Sequence, residues 1–258
     1  MTVRELYSIF NEKIPKSLSC EGDNDGLMCC PDGKKEVKRV LIALDVTSDA
    51  IEWAIKGKYD VILSHHPLIF RGLKSVDDEG TVCAKLVRLI NAGISVMSFH
   101  TRLDALDGGV NDTLCGLLGL KNVEYMMDEG IPLGRVGELE AGIGVEAFAK
   151  NVKGILNCPF VLLSDAGVMT KRVAVLGGSG KNYVELARAY GADTFVSGRL
   201  DYHPMADEPD QNISPMNLIE AGHFYTEYPV CETLSKMLNT IDSKIESEIY
   251  FNNKIKVI

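Results

Sequence analysis

Residues 60–70 read DVILSHHPLIF. Val61, Ile62 and Leu63 make an apolar run of strand length that stops at Ser64. His65 and His66 follow, and Pro67 biases the residue before it toward extended backbone. The histidine pair therefore ends a buried strand. Neighbouring side chains of an extended chain point to opposite sides, so two adjacent imidazoles can serve two centres. Taken alone, the pair reads equally well as a polar loop with both rings in solvent.

The other histidines weigh against that bland reading. The chain has five. His100 closes the apolar run ISVMSF and is followed by Asp104 in HTRLD; His223 closes MNLIEAG and is followed by Glu227 in HFYTE. Each motif is a strand end, a histidine and then a carboxylate at the same spacing. Imidazole nitrogen and carboxylate oxygen are ligand types of divalent transition metals. For one such pair, a core histidine bonded to an acid is the commoner explanation. Two pairs together with His65 and His66 leave only His203 outside the scheme.

Composition bounds the rest. At 258 residues, 46% hydrophobic and 24% charged, the chain has ample core for one large or two modest soluble domains. A net charge of −9 argues against a broad phosphate-binding surface, and so against nucleic acid as partner. The seven cysteines are odd in number, lack zinc-finger spacing and include the adjacent pair Cys29 and Cys30. They read as thiols of a reducing, cytoplasmic compartment. The opening MTVRELYSIFNEKIP is amphipathic and carries acids, unlike a signal peptide, and no apolar run approaches a membrane span.

Along the chain, helical spacing covers residues 2–13, with Thr2 and Glu5 placed for a capping box. Residues 19–36 read as loop, with Asp23, Asn24 and Asp25 as turn formers that could alternatively touch a metal site. Strands are expected at 39–46 and 60–65 with a helix at 48–57 between them, then a helix at 80–93 feeding the strand that ends at His100. Residues 121–138 look irregular. A helix at 144–156 and a strand at 160–164 precede a second strand, helix, strand series at 172–178, 181–191 and 193–198. Residues 199–215 read as a polar loop, followed by the strand to His223, a helix from about 229 and a terminal strand.

The two series superpose. Arg39-Val40 matches Arg172-Val173, Asp60 matches Asp193 and Ser64 matches Ser197 at one common offset; His100 and Asp104 match His223 and Glu227 at a shorter one. The expected fold class is α/β: two pseudo-repeated lobes of mixed sheets flanked by helices, about 1–125 and about 126–258, facing a central metal cleft. Ligands of open α/β sheets bind at the carboxyl ends of strands.

Four histidines and two carboxylates exceed the ligand shell of one tetrahedral ion. They suit two divalent ions, drawn from Zn, Mn, Fe or Ni given the mixed nitrogen and oxygen donors. Two metals can acidify a shared water, which makes hydrolysis of a phosphorylated or nucleotide-like substrate the default chemistry. The glycine-rich LGGSGKN (176–182) lacks Walker spacing. It is expected to be a tight turn at positive φ, with a phosphate on its amides as the alternative. His203, in RLDYHPM, is either a surface histidine or a proton donor over the site.

DVILSHHPLIF, FHTRLDALDGGVNDTL, RVAVLGGSG, FVSGRLDYH and AGHFYTE together resemble the motifs of the NIF-three-like family, the GTP cyclohydrolase type 2 homologues. The likeness runs nearly end to end and is to the short form that lacks an inserted domain. It implies two α/β lobes, a dinuclear metal site and a ring-shaped homohexamer. It implies metal ligands at His65, His66, Asp104, His223 and Glu227, with His100 as a further ligand or a support beside them, and His203 near the cleft. Two features depart from the family pattern: Gly22 precedes Asp23-Asn24 where the family often has tryptophan, and the loop after His203 is longer and proline-rich. The expected function is metal-dependent hydrolysis of a nucleotide; the alternative is a non-enzymatic, ring-shaped metal-binding scaffold.

Overall fold

A computed structural model describes residues 1–208 and 214–258. Its backbone packs as two compact units, residues 1–103 with 230–254, and residues 104–229 with 255–258. The motif rhythm suggested a division near residue 125. By compactness the last long helix, Val230–Ile241, and the strand Glu246–Tyr250 belong with the first unit.

The first unit holds a five-stranded sheet in the order Gly26–Cys29, Ser95–Ser98, Val61–Ser64, Arg39–Ala43 and Glu246–Tyr250. The last four run parallel and the first is antiparallel to its neighbour. Val40, Leu41, Ile42, Val61, Ile62 and Leu63 are buried without alternation, as strands covered on both faces must be. The covering layers include the helices Ser48–Lys56 and Thr81–Ala92, whose Ile51, Ala54, Leu86 and Leu89 join the core. The first helix, Val3–Lys13, opens on the expected capping box: Thr2 Oγ1 accepts from Glu5 N, and Glu5 Oε2 accepts from Thr2 N. A terminal strand, expected over SEIYFNNKIKVI (247–258), forms only at Glu246–Tyr250, pairing with Arg39–Ala43; residues 251–258 are not strand.

The second unit holds a six-stranded sheet in the order Lys121–Asp128, Ile131–Ile143, Thr170–Ser179, Thr194–Arg199, Asn217–Glu220 and Leu162–Ser164. The strands Thr170–Ser179, Thr194–Arg199 and Asn217–Glu220 are parallel; the others pair antiparallel. Helices Val110–Leu117 and Val145–Ile155 cover it, burying Leu114, Phe148, Ala149 and Val152 on Val173, Val175, Val196 and Ile219. Residues 121–143, expected to be irregular over most of their length, form a long hairpin. Its two-residue turn places Glu129 at φ 46° and Gly130 at φ 86°, the paired positive φ of a type I′ turn. Within the expected polar loop 199–215, Tyr202–Asp207 is a helix, and residues 209–213 lie outside the described residues.

Both sheets are thus mixed and flanked by helices: the first has one antiparallel edge strand, the second antiparallel strands on both sides of its parallel centre. In the first, Val61–Ser64 and Ser95–Ser98 stop just short of His65 and His100; in the second, Asn217–Glu220 stops three residues before His223.

Candidate metal centre

In the first unit, His65 and His66 follow Val61–Ser64, and His100 follows Ser95–Ser98, the adjacent parallel strand. Parallel pairing brings the two strand ends level. Ring centroids lie 4.9 Å apart for His65–His66, 5.4 Å for His65–His100 and 5.7 Å for His66–His100. One ring nitrogen from each of the three lies within 4.8 Å of the others, a spacing that can hold a metal ion.

Each ring is anchored through Nδ1. His65, fully buried, donates from Nδ1 to the Phe99 carbonyl at 3.0 Å. A carbonyl only accepts, so neutral His65 keeps its lone pair on Nε2. His66 Nδ1 lies 2.8 Å from Asp45 Oδ1, and His100 Nδ1 lies 2.9 Å from Asp23 Oδ1. Carboxylate and carbonyl partners on one nitrogen orient the other toward a metal and raise its basicity. Asp23 is itself gripped: its Oδ2 accepts from Thr101 N at 3.1 Å and Thr101 Oγ1 at 2.6 Å. Burial opposes its ionisation, but the hydrogen bonds from His100 and Thr101 prevail and hold this carboxyl well below the usual carboxylate range.

Asp25 completes the support. Its Oδ2 accepts from His100 N at 3.1 Å and from Arg102 Nε at 2.9 Å, a pair with both side chains fully buried. Arg102 also donates to Asn11 Oδ1 and the Ile14 carbonyl. Asp23 and Asp25 are therefore not mere turn formers: they clamp His100 and its neighbours from far away in sequence. From sequence, Asp23 and Asp25 are named with turn formation as the favoured role, but Asp45, the partner of His66, is passed over. Asp45 had one signal, an acid just beyond the buried strand RVLIA.

In the second unit, His223 and Glu227 bound the short helix His223–Glu227, with His223 Nε2 3.0 Å from Glu227 Oε2. The helix packs on the strands Thr170–Ser179 and Thr194–Arg199. Close approach is possible because of glycine. A Cβ on Gly198 would lie 2.5 Å from the Gly178 carbonyl and 2.7 Å from His223 Cα. A Cβ on Gly178, at φ +67°, would lie 2.1 Å from Glu227 Oε1. Gly198 follows Ser197 as His65 follows Ser64, so the second repeat has a helix backbone where the first has an imidazole.

The amides of the glycine turn are already engaged: Gly177 N donates to Asn111 Oδ1 at 2.8 Å and Gly178 N to Thr226 Oγ1 at 3.1 Å. This favours the expected tight turn over phosphate binding there. Asp104, buried, sits in the short helix Thr101–Ala105. His203 is exposed, on the helix Tyr202–Asp207, its ring edge-on to Tyr202, lining a groove with Lys181, Asn182, Pro204 and Asp207. All seven cysteines are thiols, and no described helix is long and apolar enough to cross a membrane.

The donor set fits divalent transition ions: imidazoles fixed in tautomer, with carboxylates and no thiolate beside them. The mixed α/β fold itself is similar to that of a Bacillus cereus protein related to NIF3, 22% identical with a TM-score of 0.87 over the whole of this chain and 99% of that one. The chain belongs to the Duf34/NIF3 (NGG1p interacting factor 3) family, which it matches over residues 1–256. It is 32% identical over 246 residues to a Clostridium acetobutylicum GTP cyclohydrolase 1 type 2 homolog, covering 92% of this chain and 90% of that protein. It is 30% identical to Staphylococcus aureus hypothetical protein SA1388, with a TM-score of 0.89 over 100% of this chain and 99% of that one. Alignment with a Staphylococcus aureus GTP cyclohydrolase 1 type 2 homolog runs over 346 positions at 27% identity, covering 92% of this chain and 93% of that protein. That alignment is longer than this chain, so the relative carries sequence with no counterpart here.

Proposed function

We propose that the chain is a hydrolase that uses two divalent metal ions, held by His65, His66, Asp104, His223 and Glu227, with His100 as a further ligand or a support. The observation that carries this reading is the cluster of His65, His66 and His100, each ring secured through Nδ1. Fixed imidazoles at strand ends have a metal as their most economical purpose. The buried Glu227 paired with His223 supplies the matching group from the second repeat. When bound, such ions lower the pKa of a water and polarise substrate oxygens. The chain's own part is to hold the ligands rigid, and to offer carboxylates able to bridge.

The substrate class is nucleotide, with opening of the GTP imidazole ring as the first reaction to test; relatives named GTP cyclohydrolase 1 type 2 homolog support it. His203 and Lys181, which share a groove, are proposed substrate contacts. The assembly is proposed to be a homohexameric ring and the compartment the cytoplasm.

The test is metal analysis of untagged protein, followed by assay of the Mn- and Zn-loaded forms against GTP and a nucleotide panel. Two equivalents of metal and turnover that disappears in His66→Ala are expected. Metal uptake with no turnover of any nucleotide, and a His66→Ala change that alters only assembly, points to the scaffold reading instead. Light scattering on the same sample tests the hexamer.

A further inference from the structure

Asn111 lies in the stretch GGVNDTL, on the helix Val110–Leu117. It is fully buried. Its Nδ2 donates to the Asp104 carbonyl at 3.2 Å and to the Leu133 carbonyl at 2.7 Å, while Oδ1 accepts from Gly177 N at 2.8 Å. One amide thus ties the residue proposed as one carboxylate ligand to the glycine turn that packs on the other. At that turn a Cβ on Gly177 would meet Glu227 Cγ at 3.4 Å, and the next residue, Gly178, abuts Glu227 Oε1. Gly178 N then reaches Thr226, the neighbour of Glu227.

We infer that Asn111 is a positioning residue that sets the placement of both Asp104 and Glu227 for metal binding. The inference rests on the function proposed above. Both donors and the acceptor of the amide are used, so no other common side chain of this size reproduces the three bonds. A loss of any of them frees the Asp104 turn or the glycine turn to shift, and ligand spacing shifts with it.

A matched control exists in the same unit. Asn217 is also fully buried, and its Oδ1 accepts from Ala166 N while Nδ2 donates to the Val168 carbonyl and Thr194 Oγ1. It opens its strand, opposite Thr194, at the end remote from the ligands. Asn111→Ala and Asn217→Ala should destabilise the metal-free protein alike in urea. Only Asn111→Ala should weaken Mn2+ binding, by about ten-fold or more as for other groups that hold metal ligands, and alter the visible spectrum of the Co2+ form. If Asn111→Ala does not fold, Asn111→Ser, which leaves room for a bridging water, is read the same way. Unchanged Mn2+ affinity in the Asn111 variant, or an equal loss in Asn217→Ala, overturns the inference while leaving the metal site intact. A wild type that takes up no Mn2+, Zn2+ or Co2+ overturns the proposed function and this inference with it.

Discussion

Asp60 and Asp193 perform the same bond for bond in the two repeats. Asp60 Oδ2 accepts from Lys38 N at 2.8 Å and Arg39 N at 3.0 Å; Asp193 accepts from Lys171 N at 3.0 Å and Arg172 N at 2.8 Å. Each returns its own amide to the carbonyl of that arginine, at 2.9 Å in both cases. Each aspartate thereby locks the entry of one parallel strand to the entry of the next. Register set there fixes which residues emerge at the far ends, and so where the histidines stand.

The first prediction concerns this lock. Asp60 is mostly buried, which raises its pKa, but the amides of Lys38 and Arg39 and the Lys35 ammonium outweigh burial and lower it from the ordinary 3.8. A carboxyl whose folded pKa is depressed stabilises the fold above its unfolded pKa and loses that contribution as pH falls through the folded value. Asp60→Asn should therefore cost about 1–3 kcal/mol at pH 7. In urea titrations the gap to wild type should stay constant down to about pH 5 and narrow below about pH 4. A gap that holds at pH 3 would show that the charge is not what matters.

A second prediction separates two anchors. Asp23 is 3% exposed and Asp45 46% exposed, while both hold an imidazole Nδ1. Water and salt compete with the exposed pair far more than with the buried one. Asp23→Asn should lower metal affinity roughly 10–100-fold and Asp45→Asn distinctly less. Competition with a chromophoric chelator measures both. Equal affinity in Asp23→Asn and wild type would remove His100 from the ligand set.

How much of this was legible follows from where the information lay. The histidine-ending strands could be read because Val61–Leu63 is apolar without interruption and the run ISVMSF before His100 is mostly so, a signal local to a few residues. The repeat could be read because Asp60 and Asp193 recur at the same offset as Arg39-Val40 with Arg172-Val173 and Ser64 with Ser197. The hairpin 121–143 could not: Lys121–Asp128 is exposed along nearly its whole length, with bulges breaking its register, so it lacks the alternation of a half-buried strand. Its one sequence signal was the Asp-Glu-Gly-Ile turn. The tasks of Asp23 and Asn111 were hidden for another reason. Each depends on a partner in a different element, and a turn-forming aspartate has the same local pattern whether or not a histidine packs over it. The shorter offset of the second histidine motif reflects a shorter connection: Ala221, whose amide reaches the Ser197 carbonyl, lies 24 residues beyond Ser197, whereas Phe99 lies 35 beyond Ser64, and Gly222 restores only one residue before His223.

A third prediction concerns thiol chemistry. Burial, with Asp112 adding to it and Arg135 opposing, pushes the Cys115 thiol up to about 12. At pH 8 it is protonated and covered, and the thiolate is the reactive species. Alkylation mapped by mass spectrometry should label Cys30, which is partly exposed, in the folded protein and Cys115 only after unfolding. Labelling of Cys115 at the rate of Cys30 under native conditions would mean that the core around Leu114 opens readily.

The last prediction uses a pair of glycines to split backbone strain from ligand displacement. Gly178 and Gly167 share nearly the same backbone conformation, φ +67° and φ +74°. A side chain at either is forced into the left-handed region, at roughly 1–2 kcal/mol. At Gly167 a Cβ meets nothing within 4 Å, whereas at Gly178 it would collide with Glu227 Oε1. Gly167→Ala should therefore lose only the strain energy and bind metal as wild type does. Gly178→Ala should lose more stability and also metal, because the Glu227 carboxylate has to swing away to admit the methyl group. Glu227→Gln supplies the reference, removing the charge without moving the backbone. If Gly178→Ala keeps full metal content while Glu227→Gln loses it, the carboxylate reaches its metal from another rotamer, and the glycine turn serves the backbone alone.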